Sequence, residues 1–341
     1  MNRTTAHQAD AARLELMVRA MRLAADDVLA IRLERPDGGE LPAWTPGAHL
    51  DVRFGNGVER QYSLCSDPAD RTGWEIAILR EEVSRGGSRF VHDALRPGQV
   101  VETSHPLNTF ELVHAPDAPH EPGAPDSADR PATGETLFIA GGIGITPLLP
   151  MVAATAAAGR AWRLAYLGRS RRRMAFADSP LLAGPETTLV AADEHPRIDL
   201  SAWIGTPTSA TRIYACGPQR LLDQLEEMSA AWPKGTLHVE RFQAKSFADL
   251  GDGDAFEVEA RRSGLRVTVD SGCSILEMLE QAGIPVPSSC LEGVCGTCET
   301  TIIDGEAEHR DSILSPDEQE ANETMMVCVS RSKTPSLVLD L

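Results

Sequence analysis

Short apolar runs separated by turn signals dominate the first third of the chain. Leu14-Glu15-Leu16-Met17-Val18, Val28-Leu29-Ala30-Ile31-Arg32-Leu33 and Trp74-Glu75-Ile76-Ala77-Ile78-Leu79 read as strands. Pro36-Asp37-Gly38-Gly39 and Gly55-Asn56-Gly57 read as turns between such runs. Several short strands at this spacing predict a β-barrel or sandwich over residues 14–113, with one short helix at 89–95. Residues 114–134 are rich in Pro, Ala, Asp and Gly without periodicity, which predicts a flexible connection. The pattern then changes. Strands at 136–140, 163–167, 187–191 and 212–215 alternate with helices at 147–158 and 219–231 and a helix-like piece at 179–182. That alternation predicts a parallel α/β sheet over 135–245, with a short strand at 237–240 near its end. A polar Gly/Asp-rich stretch at 246–254 reads as a second linker. Residues 255–341 return to strand-like pattern around one helix at 274–282, and residues 1–13 form a polar tail.

Composition narrows the function. The 341 residues suggest two or three domains at about 150 residues each, and 42% hydrophobic content suffices for packed cores. No apolar run is long enough to span a bilayer, and the polar first ten residues lack an export signal. Seven cysteines, an odd number, argue against a disulfide framework and for a reducing, cytoplasmic setting. A net charge of −18 argues against nucleic acid or an anionic membrane as partner. Residues 264–341 carry 14 Asp and Glu against 4 Lys and Arg, so −10 of that charge sits there. It reads either as solubilising surface or as a docking face for a basic redox partner.

The cysteines carry the strongest chemical signal. Cys290, Cys295 and Cys298 are spaced C-x4-C-x2-C, and Cys328 follows after a gap. This is the ligand spacing of plant-type [2Fe–2S] ferredoxins. Three thiolates on one loop grip one side of a small cluster and a distant fourth closes the cage. Gly293 and Gly296 allow the backbone to wrap tightly. Zinc is the competing reading, but zinc sites usually pair C-x2-C with a second close pair or with His, and Cys328 has neither near it.

Three further motifs suit phosphate or nicotinamide chemistry, although the first, taken alone, is more commonly an exposed Arg beside a core Tyr. Arg60-Gln61-Tyr62-Ser63 offers a guanidinium fork for phosphate. Strand alternation puts Arg60 and Tyr62 on one face and Gln61 and Ser63 on the other. Arg85-Gly86-Gly87-Ser88 exposes backbone N–H groups just before a helix start, which suits an anion, or else is a hairpin turn. Gly141-Gly142-Ile143-Gly144-Ile145-Thr146-Pro147 follows a strand and opens a helix, the context of a dinucleotide loop. Arg169 and Arg171 follow the second parallel strand, where an adenosine ribose usually sits, and either could hold a 2′-phosphate.

In this order the motifs resemble the ferredoxin–NADP reductase-like flavoproteins. With a ferredoxin at the C-terminal end, the resemblance narrows to the phthalate dioxygenase reductase and vanillate O-demethylase reductase family. It implies a β-barrel flavin domain at 14–113, an α/β nicotinamide domain at 135–245 and an α+β β-grasp ferredoxin domain at 255–341. It implies FMN, held by Arg60 at the phosphate, Tyr62 at the ring, Ser63 near N5, and Gly86, Gly87 and Ser88 at the phosphate, with Gln61 also among the FMN-binding residues. A bend must then bring Ser63 to the ring. Gly141, Gly142, Gly144, Thr146 and Pro147 take the nicotinamide dinucleotide, and Cys216, Gly217 and Pro218 lie beside the nicotinamide. In Glu240-Arg241-Phe242 the Glu lies near the reacting atoms and Phe242 stacks near the flavin. Ser63, Cys216 and Glu240 are the expected catalytic residues. NADH is the expected donor, with NADPH an alternative.

Electron counting then sets the expected function. A nicotinamide gives two electrons together and the cluster accepts one at a time, so flavin must stand between them. The resemblance implies the reductase component of a Rieske-type oxygenase or demethylase of aromatic catabolism, docked through its acidic ferredoxin end. The alternatives are a reductase for a diiron or haem-thiolate monooxygenase, and a flavin/iron–sulfur redox sensor without turnover.

Overall fold

Six antiparallel strands build the first body. They are β1 (Leu14–Ala25), β2 (Val28–Glu34), β3 (His49–Arg53), β4 (Glu59–Ser63), β5 (Trp74–Leu79) and β6 (Val100–Thr103), in the order β4-β3-β6-β1-β2-β5. The edges meet where Leu64 bridges Ile76 and the Cys65 N–H donates to the Glu75 carbonyl at 2.9 Å, so the sheet closes into a barrel. Every second residue points inward. Leu16, Val18, Ile31, Leu33, Leu50, Val52, Ile76 and Ile78 are all buried in one cluster. Each such side chain contributes roughly 1.5–3 kcal/mol by leaving water. The helix expected at 89–95 is α1 (Gly87–Asp93). It adds Val91 to that core.

The protein is described here from a computed structural model, for residues 13–82, 84, 86–114, 134–243, 251 and 253–341. The expected tail and both expected connections lie mostly outside these residues.

The second sheet is wholly parallel. It contains β7 (Glu135–Gly141), β8 (Trp162–Gly168), β9 (Thr187–Ala191), β10 (Thr211–Cys216) and β11 (Leu237–Glu240), in the order β11-β10-β7-β8-β9. The chain starts in the middle, winds one way through β9, then returns to the other side of β7. Strand order therefore reverses between β7 and β10, and ligands of such sheets bind at the carboxyl ends of the strands at that point. Around it lie α2 (Ile145–Ala157), α3 (Leu200–Ile204) and α4 (Gln219–Ser229). Helix α2 begins two residues before the expected Pro147, because Thr146 Oγ1 donates to the Ile143 carbonyl at 3.0 Å and ties the first turn. The helix expected at 179–182 is a single 3₁₀ turn, Pro180–Leu182. Helix α3 is too short to show periodicity. It is capped by the Asp199 carboxylate, which accepts from the Ala202 N–H at 3.2 Å.

Barrel and parallel sheet share a core. Val28, Ala77 and Phe110 belong to the same buried cluster as Phe138, Ile145, Met151 and Tyr214. Arg173 also pairs with Asp27 at 2.9 Å. Of the described residues, those up to Glu240 form one compact unit and those from Arg241 a second.

That second unit holds β12 (Phe256–Ala260), β13 (Leu265–Val269), α5 (Ile275–Gln281), β14 (Glu299–Asp304), β15 (Ala307–Glu308), α6 (Pro316–Ala321), β16 (Thr324–Met326), β17 (Arg331–Ser332) and β18 (Ser336–Leu339). Its main sheet runs β13-β12-β18-β14-β16, with β12 and β18 parallel and the other pairs antiparallel. Ile275, Leu276 and Leu279 of α5 join its core. A mixed sheet grasping one helix is the expected β-grasp. Both helices start with a capping box, Ser274 with Glu277 and Ser315 with Glu318.

Candidate functional site

The barrel brings two of the predicted motifs together. Gly87 sits so close to β4 that a Cβ there would lie 2.9 Å from Arg60 Cγ and 3.6 Å from Tyr62 Oη. The glycine loop and the Arg60–Tyr62 face therefore share one surface, as alternation on the strand predicts. Gly86 takes φ +100°, a conformation open to glycine. Burial pushes the Tyr62 hydroxyl well above its ordinary range. Arg85 lies outside the described residues.

Gln61 and Ser63 take the other face, opposite Asp51 and His49 on β3. Gln61 Nε2 donates to Asp51 Oδ1 at 2.8 Å and lies 3.4 Å from His49 Nε2. Asp51 and Ser63 are buried. Sequence reading missed Asp51, because its link to Gln61 exists only through strand register. It also missed Ser84, whose hydroxyl accepts from the Gly86 N–H at 3.2 Å and the Arg89 N–H at 3.3 Å, and receives the Ser88 hydroxyl at 3.0 Å. A serine two residues before the glycine pair was the available signal.

The strand-order reversal gathers the nicotinamide motifs. Gly141 ends β7 and Cys216 ends β10, and the loops after them press together. A Cβ on Gly144 would lie 2.2 Å from the Cys216 carbonyl oxygen, and one on Gly141 would lie 2.6 Å from Pro218 Cδ. A Cβ on Gly217 would meet Gly141 Cα at 2.9 Å. These three positions admit only glycine for reasons of space. Gly142 differs. Its surroundings are open, but φ is +57°. Thr146 and Pro147 are buried in the first turn of α2.

Cys216 and Glu240 are neighbours in register on β10 and β11. Burial, with Glu240 beside it, pushes the Cys216 thiol up. Glu240 keeps some solvent access, yet burial raises its carboxyl to about 8. It therefore holds a proton at neutral pH. Phe242 is 39% exposed, just past the division between the two units.

The basic loop after β8 is mostly committed elsewhere. Arg171 pairs with Asp178 at 2.9 Å, Arg172 with Asp26 at 3.7 Å and Arg173 with Asp27 at 2.9 Å. Arg169 is exposed and has no partner among the described residues.

The four predicted ligands converge in the second unit. The free thiols of Cys290, Cys295, Cys298 and Cys328 lie close enough to share hydrogen bonds, which pushes Cys290 and Cys298 down and Cys295 and Cys328 up. The Glu292 N–H points at Cys290 Sγ and the Thr297 N–H at Cys295 Sγ, each at 3.4 Å. These donors favour thiolate over thiol. Gly293 and Gly296 take φ +69° and +75°, and a Cβ on Gly293 would meet Val329 at 2.6 Å and the Asp311 backbone at 3.0 Å. Asp311 is buried, and its Oδ1 accepts from the Ile313 and Leu314 N–H groups. It is a buttress that the sequence alone did not reveal.

Comparison with known proteins agrees with this geometry. Residues 258–333 match the 2Fe-2S iron-sulfur cluster binding domain. The chain is 39% identical to the phenoxybenzoate dioxygenase subunit beta of Ectopseudomonas oleovorans, over 96% of this chain and 97% of that one. The solved phthalate dioxygenase reductase, a modular structure for electron transfer from pyridine nucleotides to [2Fe–2S], is 36% identical over 97% of this chain and 98% of its own, with a TM-score of 0.66. The chain belongs to the phthalate dioxygenase reductase family.

An intact type IV self-sufficient cytochrome P450 monooxygenase contains a similar structure, with a TM-score of 0.84 and 39% identity over 96% of this chain. The chain spans about two-fifths of that protein's length, 41%. As a member of the phthalate dioxygenase reductase family, the protein is an NAD(P)H-dependent oxidoreductase, the reductase component of an oxygenase system, with FMN, NADH and a [2Fe–2S] cluster as cofactors. The residues present fit those groups. Four thiols brought together, two of them facing backbone N–H donors, suit a cluster. A loop too tight for side chains, at a strand-order reversal, suits a dinucleotide. Among the described residues no helix is long and apolar enough to cross a membrane.

Proposed function

We propose that this reductase serves a Rieske-type oxygenase and acts in the cytoplasm, with the roles of its residues assigned as follows. When bound, the nicotinamide supplies hydride, the flavin divides the electron pair, and the cluster delivers single electrons. Arg60 and the Gly86–Gly87–Ser88 loop would hold the FMN phosphate, and the contact of Gly87 with Arg60 and Tyr62 supports this. Tyr62 would pack on the ring, Ser63 would approach N5, and Asp51 fixes the amide of Gln61 through a 2.8 Å bond. Phe242 would cover the ring.

Gly141, Gly142 and Gly144 would bring bare backbone to the pyrophosphate, with Thr146 and Pro147 setting the start of α2. Cys216, Gly217 and Pro218 would orient the nicotinamide. Burial raises the Glu240 carboxyl, next to Cys216, to about 8, so it would set little negative charge beside a bound flavin. Arg169, exposed after β8, would meet a 2′-phosphate, while Arg171 is held by Asp178. Cys290, Cys295, Cys298 and Cys328 would together hold the [2Fe–2S] cluster.

The observation that carries the reading is the union, in one chain, of a dinucleotide junction at a strand-order reversal and a four-thiol cage. The partner docks at the acidic ferredoxin end, supported by the −10 charge of residues 264–341. A haem-thiolate monooxygenase partner is the second reading, favoured by the similarity to part of the self-sufficient P450.

The test is NADH-driven reduction of a purified Rieske oxygenase and of a purified haem-thiolate monooxygenase, each at low and high salt. Faster, salt-sensitive reduction of the Rieske protein is expected. Faster reduction of the haem protein would reverse the choice of partner, and indifference to salt would remove the docking face.

A further inference from the structure

Leu291 stands directly after the first cluster ligand and is 59% exposed, the one large apolar side chain on the loop from Cys290 to Cys298 that faces solvent to that extent. Its φ is +57°, in the left-handed region that a branched L-residue rarely occupies. The backbone has a reason for this turn. It aims the Glu292 N–H back at Cys290 Sγ, 3.4 Å away. The side chain has none, because glycine makes the same turn without strain, and Gly293 and Gly296 do so in the same loop. The fold therefore keeps a strained leucine where glycine would be relaxed, and buries little of it. Strain retained without benefit to the core points to work done by the side chain outside the fold.

Its location says which work. Cys290 is partly exposed, whereas Cys295, Cys298 and Cys328 are buried, so the loop edge bearing Leu291 is where the cage comes nearest to solvent. The segment 264–341 that carries it has a net charge of −10. An exposed apolar contact on an acidic domain is the complement of an acceptor with an apolar centre and a basic rim.

We propose that Leu291 is the apolar anchor by which an electron-accepting protein with a basic rim docks over the cluster edge. The inference rests on the reading of the acidic ferredoxin end as the docking face. Leu291 is a positioning residue. It sets the distance and lifetime of the encounter and takes no part in the electron transfer itself.

The test uses the full holoprotein with cytochrome c, a basic one-electron acceptor, and with ferricyanide, which does not dock. Leu291→Gly and Leu291→Ala remove the anchor, and Leu291→Met keeps an apolar one. The first two should raise KM for cytochrome c by about five- to thirtyfold, the range of a moderate interface anchor. Leu291→Met should stay near the parent. The ferricyanide rate and the reduction of the cluster by NADH should not change, and Leu291→Gly should melt at or above the parent temperature. An unchanged KM in the Gly and Ala variants, with salt still slowing cytochrome c reduction, overturns the anchor and leaves the docking face standing. Salt-independent cytochrome c reduction overturns both. Equal losses with ferricyanide would mean that the loop itself had changed, and slower reduction by NADH would put Leu291 on the internal route. Either result also overturns the proposal.

Discussion

The two glycine-rich loops of this protein solve opposite problems. At the strand-order reversal, glycines are required because backbone meets backbone, and the Gly144 position lies against the Cys216 carbonyl with no room for a methyl group. That junction is built by packing of the protein's own backbone. In the cysteine loop, the glycines serve curvature, and the side chains that matter are four thiols crowded together. Thiolates at that density repel one another unless a metal takes their charge, so this loop depends on its cluster far more than the junction depends on its nucleotide. One site is shaped by sterics and the other by coordination.

The comparison can be broken at its metal end first. Cys328→Ser removes the closing ligand, and iron content and the cluster's visible and EPR signals should be lost. Flavin reduction by NADH should persist near the parental rate, because the junction and barrel belong to the other compact unit. Equal loss of flavin reduction would show that the two units do not function separately.

At the steric end, Gly144→Ala and Gly142→Ala form a matched pair. A methyl at 144 has nowhere to go and should cost about 1–3 kcal/mol or more by overpacking, with NADH reduction of the flavin slowed severely. A methyl at 142 meets nothing within 4 Å and strains only φ, for about 1–2 kcal/mol and a smaller kinetic loss. Urea unfolding and stopped-flow reduction measure both. Equal effects at the two positions would mean that space does not define the junction.

The smallest effect sharpens the junction's electrostatics. The folded state holds the Glu240 proton up to about pH 8, whereas an unfolded chain releases it near 4.5. Between those values the folded state binds more protons, so this group's contribution to stability is present below pH 4.5 and is lost as pH rises through 8. Glu240→Gln should flatten that part of the stability profile. An unchanged slope would mean that Glu240 ionises normally.

What was legible in the sequence was contiguous. The C-x4-C-x2-C run is a short string read from its own spacing, and Arg60 to Ser63 and Gly141 to Pro147 are short strings that gain meaning from their order along the chain. The parallel sheet was legible too, because alternating strands and helices leave few topologies. What stayed hidden depends on distant segments meeting. Asp51 reaches Gln61 only through the β3–β4 register, and Asp311 supports Gly293 across a gap in the chain. The commitment of Arg171 to Asp178, which leaves Arg169 alone in the basic loop, is likewise a matter of folded geometry. Short elements such as α3, β15 and β17 are held by caps and pairing, which leave no periodic trace.

The most direct test of the account is anaerobic titration of the holoprotein with NADH, followed by visible absorbance and EPR. The account predicts flavin bleaching together with a rhombic [2Fe–2S] signal. In Cys328→Ser the bleaching alone should remain. Flavin bleaching without a cluster signal in the parent protein would contradict the assignment of Cys290, Cys295, Cys298 and Cys328 as the one-electron exit.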